Sequence, residues 1–409
     1  MTTSSSVSKP GDVFRLGLNY WPARTAMGWW TDFDAAEVEA DFAKAAAAGF
    51  DSIRIFLTWE DFQPAPGSVD PSMLRRLITV ADLALDSDVA IMPTLFTGHM
   101  SGVNWIPGWA LSGGNGHRRF RLSTGGGISS ARLRNWYADP DIRSAQVLMA
   151  ARAASALAGH PSLWAWDLGN ENSNCVVPAN RDDGRRWLHE ISEAIRREDA
   201  SASITLGLHM EDLEEDRNIG PAEAAEVCDF LTMHGYPMYA SWAETVTDEH
   251  VLPFLALMTR WLGAGAAILF SEFGAPTVPQ GVQPSDGVIP VLVDEQAAAA
   301  YTGRALGVLR AVGCIGAMIW CHADYEEEIW GRPPFDEAIH ERSFGVWRAD
   351  GTPKPSLDVV RRFHGSSRVA ASDMFGWIDI GSGEFYANPQ FQLGRLYGRY
   401  RQAIGLTSG

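Results

Sequence analysis

The sequence predicts a (β/α)8 barrel, an α/β fold with long loops on the C-terminal face of the barrel and a short C-terminal extension. Two observations support this fold class. Short apolar runs rich in β-forming residues alternate with longer segments of helical periodicity, which is typical of βα units around a parallel sheet. The 409 residues contain eight such runs, and each is followed by a helical segment, as a closed barrel requires.

The predicted strands are apolar for most of their length and tend to end in polar residues. They cover residues 13–20, 51–57, 89–96, 163–169, 204–210, 230–236, 266–274 and 315–323. The predicted helices cover residues 34–48, 71–85, 140–158, 182–197, 214–227, 247–262, 294–311 and 355–363. Two helices have a strong start signal, because Asp70 precedes Pro71 and Asp139 precedes Pro140. The first strand runs into "NYWPARTAMGWW", which lacks a glycine-rich phosphate loop and so disfavours a doubly wound sheet.

The remaining segments complete the predicted domain organisation. Residues 1–12 form a disordered tail, residues 13–365 form the barrel, and residues 366–409 form an extension packed on it as a short strand or hairpin plus a helix. A separate small domain is the less favoured interpretation of the extension. Three segments are longer than a barrel needs, and they are residues 99–136, 275–293 and 324–347. All three follow strands, so they should gather over the C-terminal face, where the active sites of barrels lie.

The composition disfavours several classes of partner and chemistry. The formal net charge of −17 disfavours nucleic-acid binding, which needs a lysine- and arginine-rich surface. No window reaches about 18 apolar residues and the first residues lack a signal-peptide core, so we expect no membrane span and a cytoplasmic location. The four cysteines form no CxxC pair, which favours reduced thiols. None of the three lysines ends a predicted strand, so a mechanism through a lysine Schiff base is disfavoured.

Polar side chains at strand ends are the candidates for chemistry, and two of them are glutamates, Glu171 and Glu272. One such glutamate can simply cap the next helix or pair with a surface arginine. Two glutamates on one rim favour cleavage of a glycosidic bond, in which one carboxyl protonates the leaving oxygen and the other attacks the anomeric carbon. Arg54 and Tyr236 are the candidates to hold Glu272 ionised by charge and hydrogen bonding. Trp105, Trp109 and Trp330, all in long loops, are candidate sugar-stacking residues or, equally, loop core.

Several motifs carry a family resemblance. "GHPSLWAWDLGNE" resembles the strand-four signature of glycoside hydrolase clan A, in which an Asn-Glu pair ends the strand, and "ILFSEFG" resembles the strand-seven signature of the same clan. "SIRIFLTWEDFQPAPG" and "MHGYP" are similar to the strand-two and strand-six segments of the family-five cellulases and mannanases. "MIWCHADY" is similar to their strand-eight segment. The resemblance spans roughly residues 13–364 and leaves the C-terminal residues unexplained.

The resemblance implies a role for each matching residue. Glu171 would be the acid/base and Glu272 the nucleophile of an enzyme that retains anomeric configuration. The implied substrate-binding residues are Arg54, His99, Asn170, His234, Tyr236 and Trp320, with Trp320 as the sugar platform. Many relatives have proline after the acid/base, whereas this chain has Asn172, so the loop after strand four departs from the family pattern. No cofactor and no metal are expected.

Two other classes and one choice of substrate remain open at this stage. A metal-dependent sugar isomerase or hydrolase is the first alternative, because His and Glu on several strand ends are possible ligands of a divalent ion. A non-catalytic sugar-binding barrel is the second, although it predicts loss of a catalytic carboxylate and both are present. Three long loops favour a closed pocket and exo action on short β-glycosides, of the β-mannosidase or β-glucosidase type. An endo-acting mannanase or cellulase is the alternative.

Overall fold

Eight parallel strands form a closed barrel, which confirms the predicted fold class. The computed structural model describes residues 12–116, 119–279, 291–371 and 373–406, so the predicted tail of residues 1–12 lies outside the described residues except for Asp12. The hydrogen-bonded order of the strands is β5-β4-β3-β2-β1-β8-β7-β6. Two backbone bonds close the ring between β5 and β6, from Asp229 to Ile204 and from His234 to Leu208, each 2.8 Å long. The strands are β1 (Arg15–Asn19), β2 (Ser52–Phe56), β3 (Ala90–Thr94), β4 (Trp166–Asn170), β5 (Ile204–Gly207), β6 (Leu231–His234), β7 (Ile268–Phe273) and β8 (Gly316–Ile319).

The helices largely follow the predicted pattern. Asp70 and Asp139 cap their helices as expected, since their side chains accept the backbone N–H groups of Ser72 at 2.7 Å and Asp141 at 3.1 Å. The helices of the described residues are α1 (Ala35–Ala47), α2 (Trp59–Phe62), α3 (Pro71–Asp86), α4 (Pro140–Leu157), α5 (Arg181–Glu198), α6 (Glu211–Glu214), α7 (Pro221–Ala224), α8 (Val251–Leu262), α9 (Glu295–Ala311), α10 (Ser356–Phe363), α11 (Ser382–Ala387) and α12 (Pro389–Ala403).

The helix predicted over residues 214–227 is wrong. The chain there contains only the end of α6, an irregular stretch and the short helix α7. Asn218 between the two helices has a φ of 55°, in the left-handed region that does not continue a right-handed helix. Pro221 then starts α7, where its missing N–H costs no hydrogen bond. The local turn chemistry overrides the helical periodicity of this segment.

The described part of the long segment after β3, residues 99–116 and 119–136, folds over the rim of the barrel. Four short strands form one small sheet, and they are His99–Met100, Val103–Trp105, Arg121–Thr124 and Gly127–Ile128. A second pair, Leu111–Asn115 and Ala131–Leu133, is antiparallel. Single 3-10 turns add further local structure at Ala26–Gly28, Gly108–Ala110, Asn172–Asn174, Pro237–Tyr239, Glu327–Ile329 and Ile339–Ser343. Part of the long segment after β7, residues 280–290, lies outside the described residues.

The barrel interior is apolar at the start of the strands and polar at the rim. In β3, Ala90, Met92 and Thr94 alternate in sequence and therefore share one face. The first two belong to an apolar cluster with Leu269 and Met318 from β7 and β8. Helices cover the outer face, so the strands are buried on both sides, as parallel sheets usually are. The polar end of this interior carries the candidate site.

The C-terminal extension packs as helices on the barrel. The hairpin or strand predicted around residues 375–385 is wrong, because residues 373–381 form no strand and α11 and α12 follow. Trp377 is buried instead of pairing in a sheet, and its carbonyl accepts a bond from Arg399 at 2.7 Å. Tyr397 on α12 donates to Asp248 at 2.6 Å and so ties the extension to the barrel. Within the described part of the chain, no helix is both long and apolar enough to span a membrane.

Candidate active site

Glu171 and Glu272 face each other at the rim, at the ends of β4 and β7. Three atoms lie within 4.8 Å of one another: one carboxylate oxygen of Glu171, one of Glu272 and a ring nitrogen of His234. Both strands have an irregular register immediately before the glutamate. The pairing of β4 with β5 shifts after Asp167, and the pairing of β7 with β6 shifts after Phe270. Such bulges are common beside active sites because they redirect the next side chain.

Glu272 is buried and is held by two side chains. Arg54 donates from Nη1 to Oε1 at 2.5 Å, and the hydroxyl of Tyr236 donates to Oε2 at 3.0 Å. Burial raises the pKa of Glu272 above its usual range, while His234, Arg54 and the Tyr236 hydrogen bond lower it and the charge of Glu171 raises it. The ionised form of Glu272 therefore depends on these partners.

Arg54 is fully buried and bridges two carboxylates. Besides Glu272 it binds Asp167, whose Oδ2 accepts from Nη2 at 2.6 Å and from Nε at 3.0 Å. Thr94 also donates to Asp167 at 2.7 Å, and Asn170 accepts from Arg54 at 2.8 Å. A buried guanidinium is tolerated only when anions and acceptors surround it. Sequence reasoning missed Asp167, although a single acid inside the apolar run "LWAWDLG" is a usable signal.

Glu171 ends β4 in an uncommon backbone conformation, with φ 47° and ψ 42°. Its Oε1 lies 2.9 Å from Nδ1 of His234, and its Oε2 accepts a bond from Nδ2 of Asn174 at 3.2 Å. The side chain is 15% exposed, against 5% for Glu272, so solvent reaches Glu171 more readily. Burial lowers the pKa of His234 to about 4, so its ring is neutral at neutral pH.

The side-chain amide of Asn174 is oriented by Arg217. Arg217 donates from Nη1 to Oδ1 of Asn174 at 2.8 Å, which leaves the amide nitrogen to donate to Glu171. Arg217 is itself paired with Glu211 at 2.7 Å. Sequence reasoning missed both residues. Asn174 lies one short turn after Glu171, where "NENSN" is a signal, but Arg217 lies in the segment wrongly predicted to be helical.

His99 and Asn170 lie beside Glu171. The amide of Asn170 donates to the His99 carbonyl at 2.5 Å. The ring of His99 contacts Oδ1 of Asn104 through Nδ1 at 2.8 Å, and its Nε2 lies 4.0 Å from Oε2 of Glu171. Burial lowers the pKa of His99 below its usual value, which favours the neutral ring. The structure thus brings together Arg54, His99, Asn170, Glu171, His234, Tyr236 and Glu272.

A cavity of about 610 Å³ lies above the two glutamates. Trp320 at the end of β8 lines it, as do loop residues that the sequence did not single out. They include Met100, Phe120, Glu211, Tyr239 and Glu341. The volume falls in the range of pockets that bind small ligands.

Two loops meet across one side of this cavity. Ser101 donates to Glu341 at 2.9 Å, and Arg121 makes a two-pronged salt bridge with Asp336 at 2.7 and 2.8 Å. Ser101 and Glu341 line the cavity above the glutamates, whereas Ser123, two residues after Arg121, lines a neighbouring cavity of about 680 Å³. The contact between the loops after β3 and β8 therefore separates the two cavities.

The three loop tryptophans lie away from the glutamates. Trp105 borders the neighbouring cavity. Trp109 donates to the carbonyl of Gln63 at 2.9 Å, and Trp330 donates to that of Tyr325 at 2.9 Å. None of the three is among the described residues that line the cavity above the glutamates. Their role as sugar platforms stays a prediction.

The alternative of a metal centre can be tested against the same side chains. Glu171, His234 and Glu272 have donor atoms close enough to share an ion. The guanidinium of Arg54 already binds Oε1 of Glu272 at 2.5 Å, however, and its fixed positive charge opposes a second cation there. The cluster fits a pair of acids with an arginine better than it fits a divalent ion.

The fold and the site together define a glycoside hydrolase, a barrel with two closely spaced glutamates at the ends of β4 and β7. Residues 13–301 match the family model described as Cellulase (glycosyl hydrolase family 5). The chain belongs to glycosyl hydrolase family 5. No match was found among the curated proteins.

Solved structures with the same fold extend this comparison. A GH5_18 protein from Streptomyces cattleya in complex with GlcNAc has a TM-score of 0.79 and 20% identity, over 96% of this chain and 92% of that one. A GH5_18 variant from Bifidobacterium longum subsp. longum in complex with Manb1-4GlcNAc has a TM-score of 0.75 and 17% identity, over 97% and 91%. The exo-beta-1,4-mannosidase Op5Man5 from Opitutaceae bacterium strain TAV5 has a TM-score of 0.71 and 25% identity, over 90% and 63%.

Proposed function

We propose that this family 5 glycoside hydrolase is a retaining, exo-acting β-mannosidase. It removes a terminal β-linked mannosyl residue from short oligosaccharides or small β-glycosides, with Glu171 as acid/base and Glu272 as nucleophile. The observation that carries the proposal is the contact between the loops after β3 and β8, which interrupts the cleft beside the two glutamates.

The retaining mechanism is supported by the spacing of the two acids. Inverting enzymes separate their carboxyls by about 6.5–9.5 Å to admit a water, whereas retaining enzymes hold them about 5–5.5 Å apart. One oxygen of Glu171 and one of Glu272 lie within 4.8 Å of each other, which favours the shorter separation typical of retaining enzymes. Glu272 attacks the anomeric carbon while Glu171 protonates the departing oxygen, which gives a covalent glycosyl-enzyme. Glu171 then removes a proton from water as that water attacks the same carbon and frees Glu272.

The role of each glutamate follows from its partners. Glu272 receives bonds from Arg54 and from the Tyr236 hydroxyl, both donors that stabilise a carboxylate. Glu171 contacts the neutral ring of His234 at 2.9 Å and accepts an amide bond from Asn174, but it has no arginine beside it among the described residues and is the more exposed acid. Its position therefore suits proton exchange with the leaving group and with water. This asymmetry favours Glu272 as the nucleophile.

Exo action is supported by the closed side of the pocket. An endo-acting enzyme needs a groove through which a polymer passes on both sides of the cleaved bond. Here the bond between Ser101 and Glu341 and the salt bridge between Arg121 and Asp336 join the loops after β3 and β8, and a polymer could not pass through the cavity wall at the Ser101–Glu341 contact. The remaining volume of about 610 Å³ suits a short substrate.

The choice of mannose comes from the comparisons rather than from the geometry. Op5Man5 is named an exo-beta-1,4-mannosidase, and the proteins from Streptomyces cattleya and Bifidobacterium longum were solved with Manb1-4GlcNAc. We therefore infer a β-mannosyl group at the cleaved end, with a β-glucosidase as the alternative. Hydrolysis of nitrophenyl β-mannoside and nitrophenyl β-glucoside would separate the two.

The decisive experiment incubates the enzyme with short manno- and cello-oligosaccharides and resolves the early products by size. Release of one terminal mannose at a time supports the proposal, while internal cleavage into mixed fragments contradicts it. NMR of the first product should show the β-anomer before mutarotation; an initial α-anomer would rule out retention. Chelator-treated enzyme should keep its activity, and loss restored by zinc or manganese would favour the metal alternative.

Two variants test the roles of the acids. Glu272→Ala should abolish turnover of every substrate, because it removes the proposed nucleophile. Glu171→Ala should keep activity on aryl glycosides with good leaving groups and should be accelerated by azide, which needs no general base. If the two variants behave alike on activated substrates, the assignment is wrong.

A further inference from the structure

Glu341 is a buried carboxyl in the wall of the catalytic cavity that the proposed double displacement does not use. It lies in the 3-10 turn Ile339–Ser343, within the long loop after β8, and is 7% exposed. It nevertheless lines the cavity that holds Glu171 and Glu272. No lysine or arginine of the described residues forms an ion pair with Glu341, and a buried acid without such a pair needs another reason to be there.

The orientation of Glu341 is set by two donors from different parts of the rim. Its Oε2 accepts from the Ser101 hydroxyl at 2.9 Å and from Nε1 of Trp320 at 3.3 Å. Both bonds fall on the same oxygen. Nε2 of His340 lies 3.6 Å from Oε1, beyond hydrogen-bond distance. One oxygen is therefore fixed and the other is left with capacity to accept.

The position of Glu341 favours contact with the terminal sugar over contact with the leaving group. Its partner Trp320 lies at the end of β8, next to β7, which carries Glu272. Its partner Ser101 belongs to the loop contact that closes the pocket. Asn174, by contrast, binds Glu171, the residue that protonates the leaving group in the proposed function, and Arg217 binds Asn174. Burial raises the pKa of Glu341 to about 7, so a donor from a ligand would favour its ionised form.

We propose that Oε1 of Glu341 accepts a hydrogen bond from a hydroxyl of the terminal sugar, and that Glu341 is the specificity-determining residue that limits the pocket to chain ends. This inference rests on the proposed exo-glycosidase function. Ser101 and Trp320 hold Oε2 in place, and Oε1, the oxygen left free, pairs with a free hydroxyl of the sugar and leaves no room for a further glycosidic bond at that position.

Two variants separate hydrogen bonding from shape. In Glu341→Gln the amide oxygen must face the N–H of Trp320, so an NH2 donor replaces the acceptor that faces the sugar. Glu341→Ala removes the group and opens the wall. Glu328→Gln is the matched control, because Glu328 lies in the same loop and is exposed. Circular dichroism and thermal melting of each variant establish that the barrel is intact.

The experiment measures kcat and KM of the wild type and the three variants on the preferred nitrophenyl β-glycoside and on its 3-, 4- and 6-deoxy analogues. Loss of a hydrogen bond to a charged group should lower kcat/KM of Glu341→Gln and Glu341→Ala by about 10- to 150-fold on the parent glycoside. One deoxy analogue should show no further loss in these variants, because its missing hydroxyl is the partner of Glu341. Glu328→Gln should match the wild type.

The inference is overturned if every deoxy analogue loses the same factor in the variants as in the wild type, or if both variants match the wild type on the parent glycoside. Failure of the proposed function is a different result, seen in the wild type alone as internal cleavage of oligosaccharides. An exo-acting wild type with unaffected Glu341 variants refutes only the role of Glu341.

Discussion

Arg54 donates from Nη1 to Oε1 of Glu272 at 2.5 Å, and both side chains are buried at the rim of the barrel. The two residues are 218 positions apart in the chain and come from β2 and β7. The same guanidinium binds Asp167 of β4 through Nη2 at 2.6 Å. One arginine therefore links three strands of the barrel and holds the carboxylate that we assign as the nucleophile.

Asp167→Asn should destabilise the protein strongly. The substitution removes the charged acceptor of two hydrogen bonds from Arg54, which keeps Glu272 as a carboxylate partner. Loss of a buried hydrogen bond to a charged group typically lowers the free energy of unfolding by about 1.5–3 kcal/mol. Both Arg54 and Asp167 are buried to at least 99% of their side chains, so water cannot replace the lost partner. Denaturant unfolding followed by fluorescence measures the change. Asp358→Asn is the control, since its pair with Arg361 is exposed and should change stability by less than about 1 kcal/mol. Equal losses in both variants would contradict the assignment of Asp167.

Tyr236→Phe should shift the pH profile of catalysis. The Tyr236 hydroxyl lowers the pKa of Glu272, so its removal raises that pKa and the nucleophile becomes ionised only at higher pH. The acidic limb of kcat/KM should move upward, with a loss of about 10- to 100-fold near its midpoint. Tyr239→Phe is the matched control, because its hydroxyl contacts His340 rather than either glutamate. An unmoved acidic limb in Tyr236→Phe would show that this bond does not hold the nucleophile.

Asn174→Ala should impair proton transfer selectively. It removes the bond to Oε2 of Glu171, so kcat/KM should fall about tenfold on oligosaccharides, whose leaving groups need protonation. Dinitrophenyl glycosides, which depart without a proton, should be cleaved almost as fast as by the wild type. The exposed Asn115→Ala serves as control. A uniform loss on both kinds of substrate would mean that Asn174 acts on binding instead of on the acid/base.

His234 should make the fold sensitive to acid. Its folded-state pKa of about 4 lies below the ordinary value of 6.5, so as the pH falls the unfolded chain takes up the proton first. The stability present above pH 6.5 is therefore lost between about pH 6.5 and 4, up to about 3 kcal/mol. Denaturant unfolding at pH 7 and 4.5 measures the loss, which should be smaller in His234→Gln. An unchanged difference between the two pH values in that variant would contradict the prediction.

Local patterns in the sequence were sufficient for most of the barrel. The N-caps at Asp70 and Asp139 depend on neighbours two residues away, and both form as predicted. The prediction of a helix over residues 214–227 was wrong because Asn218 adopts a left-handed conformation that helical periodicity does not reveal. The prediction of a strand in the first part of the extension was also wrong, because Trp377 is buried among side chains of the barrel and α12 instead of pairing in a strand.

Some residues of the candidate site could be predicted from the sequence, and others could not. Glu171 and Glu272 were recognisable because each follows an apolar strand, and the ends of parallel strands in a barrel meet on one face. Asp167, Asn174, Arg217 and Glu341 were missed. Asp167 lies 113 residues from Arg54, and Glu341 lies 240 residues from Ser101, so no short-range pattern signals either contact.

The sequence by itself determined the eight-stranded barrel, the positions of the two glutamates and the family, because strand period, helix start signals and strand-end motifs are local properties of the chain. Only the tertiary structure decided that Arg54 also binds Asp167, and that the loops after β3 and β8 meet beside the pocket. These contacts join segments remote in sequence, and they exist only once closure of the barrel brings the strand ends and their loops within hydrogen-bond distance of one another.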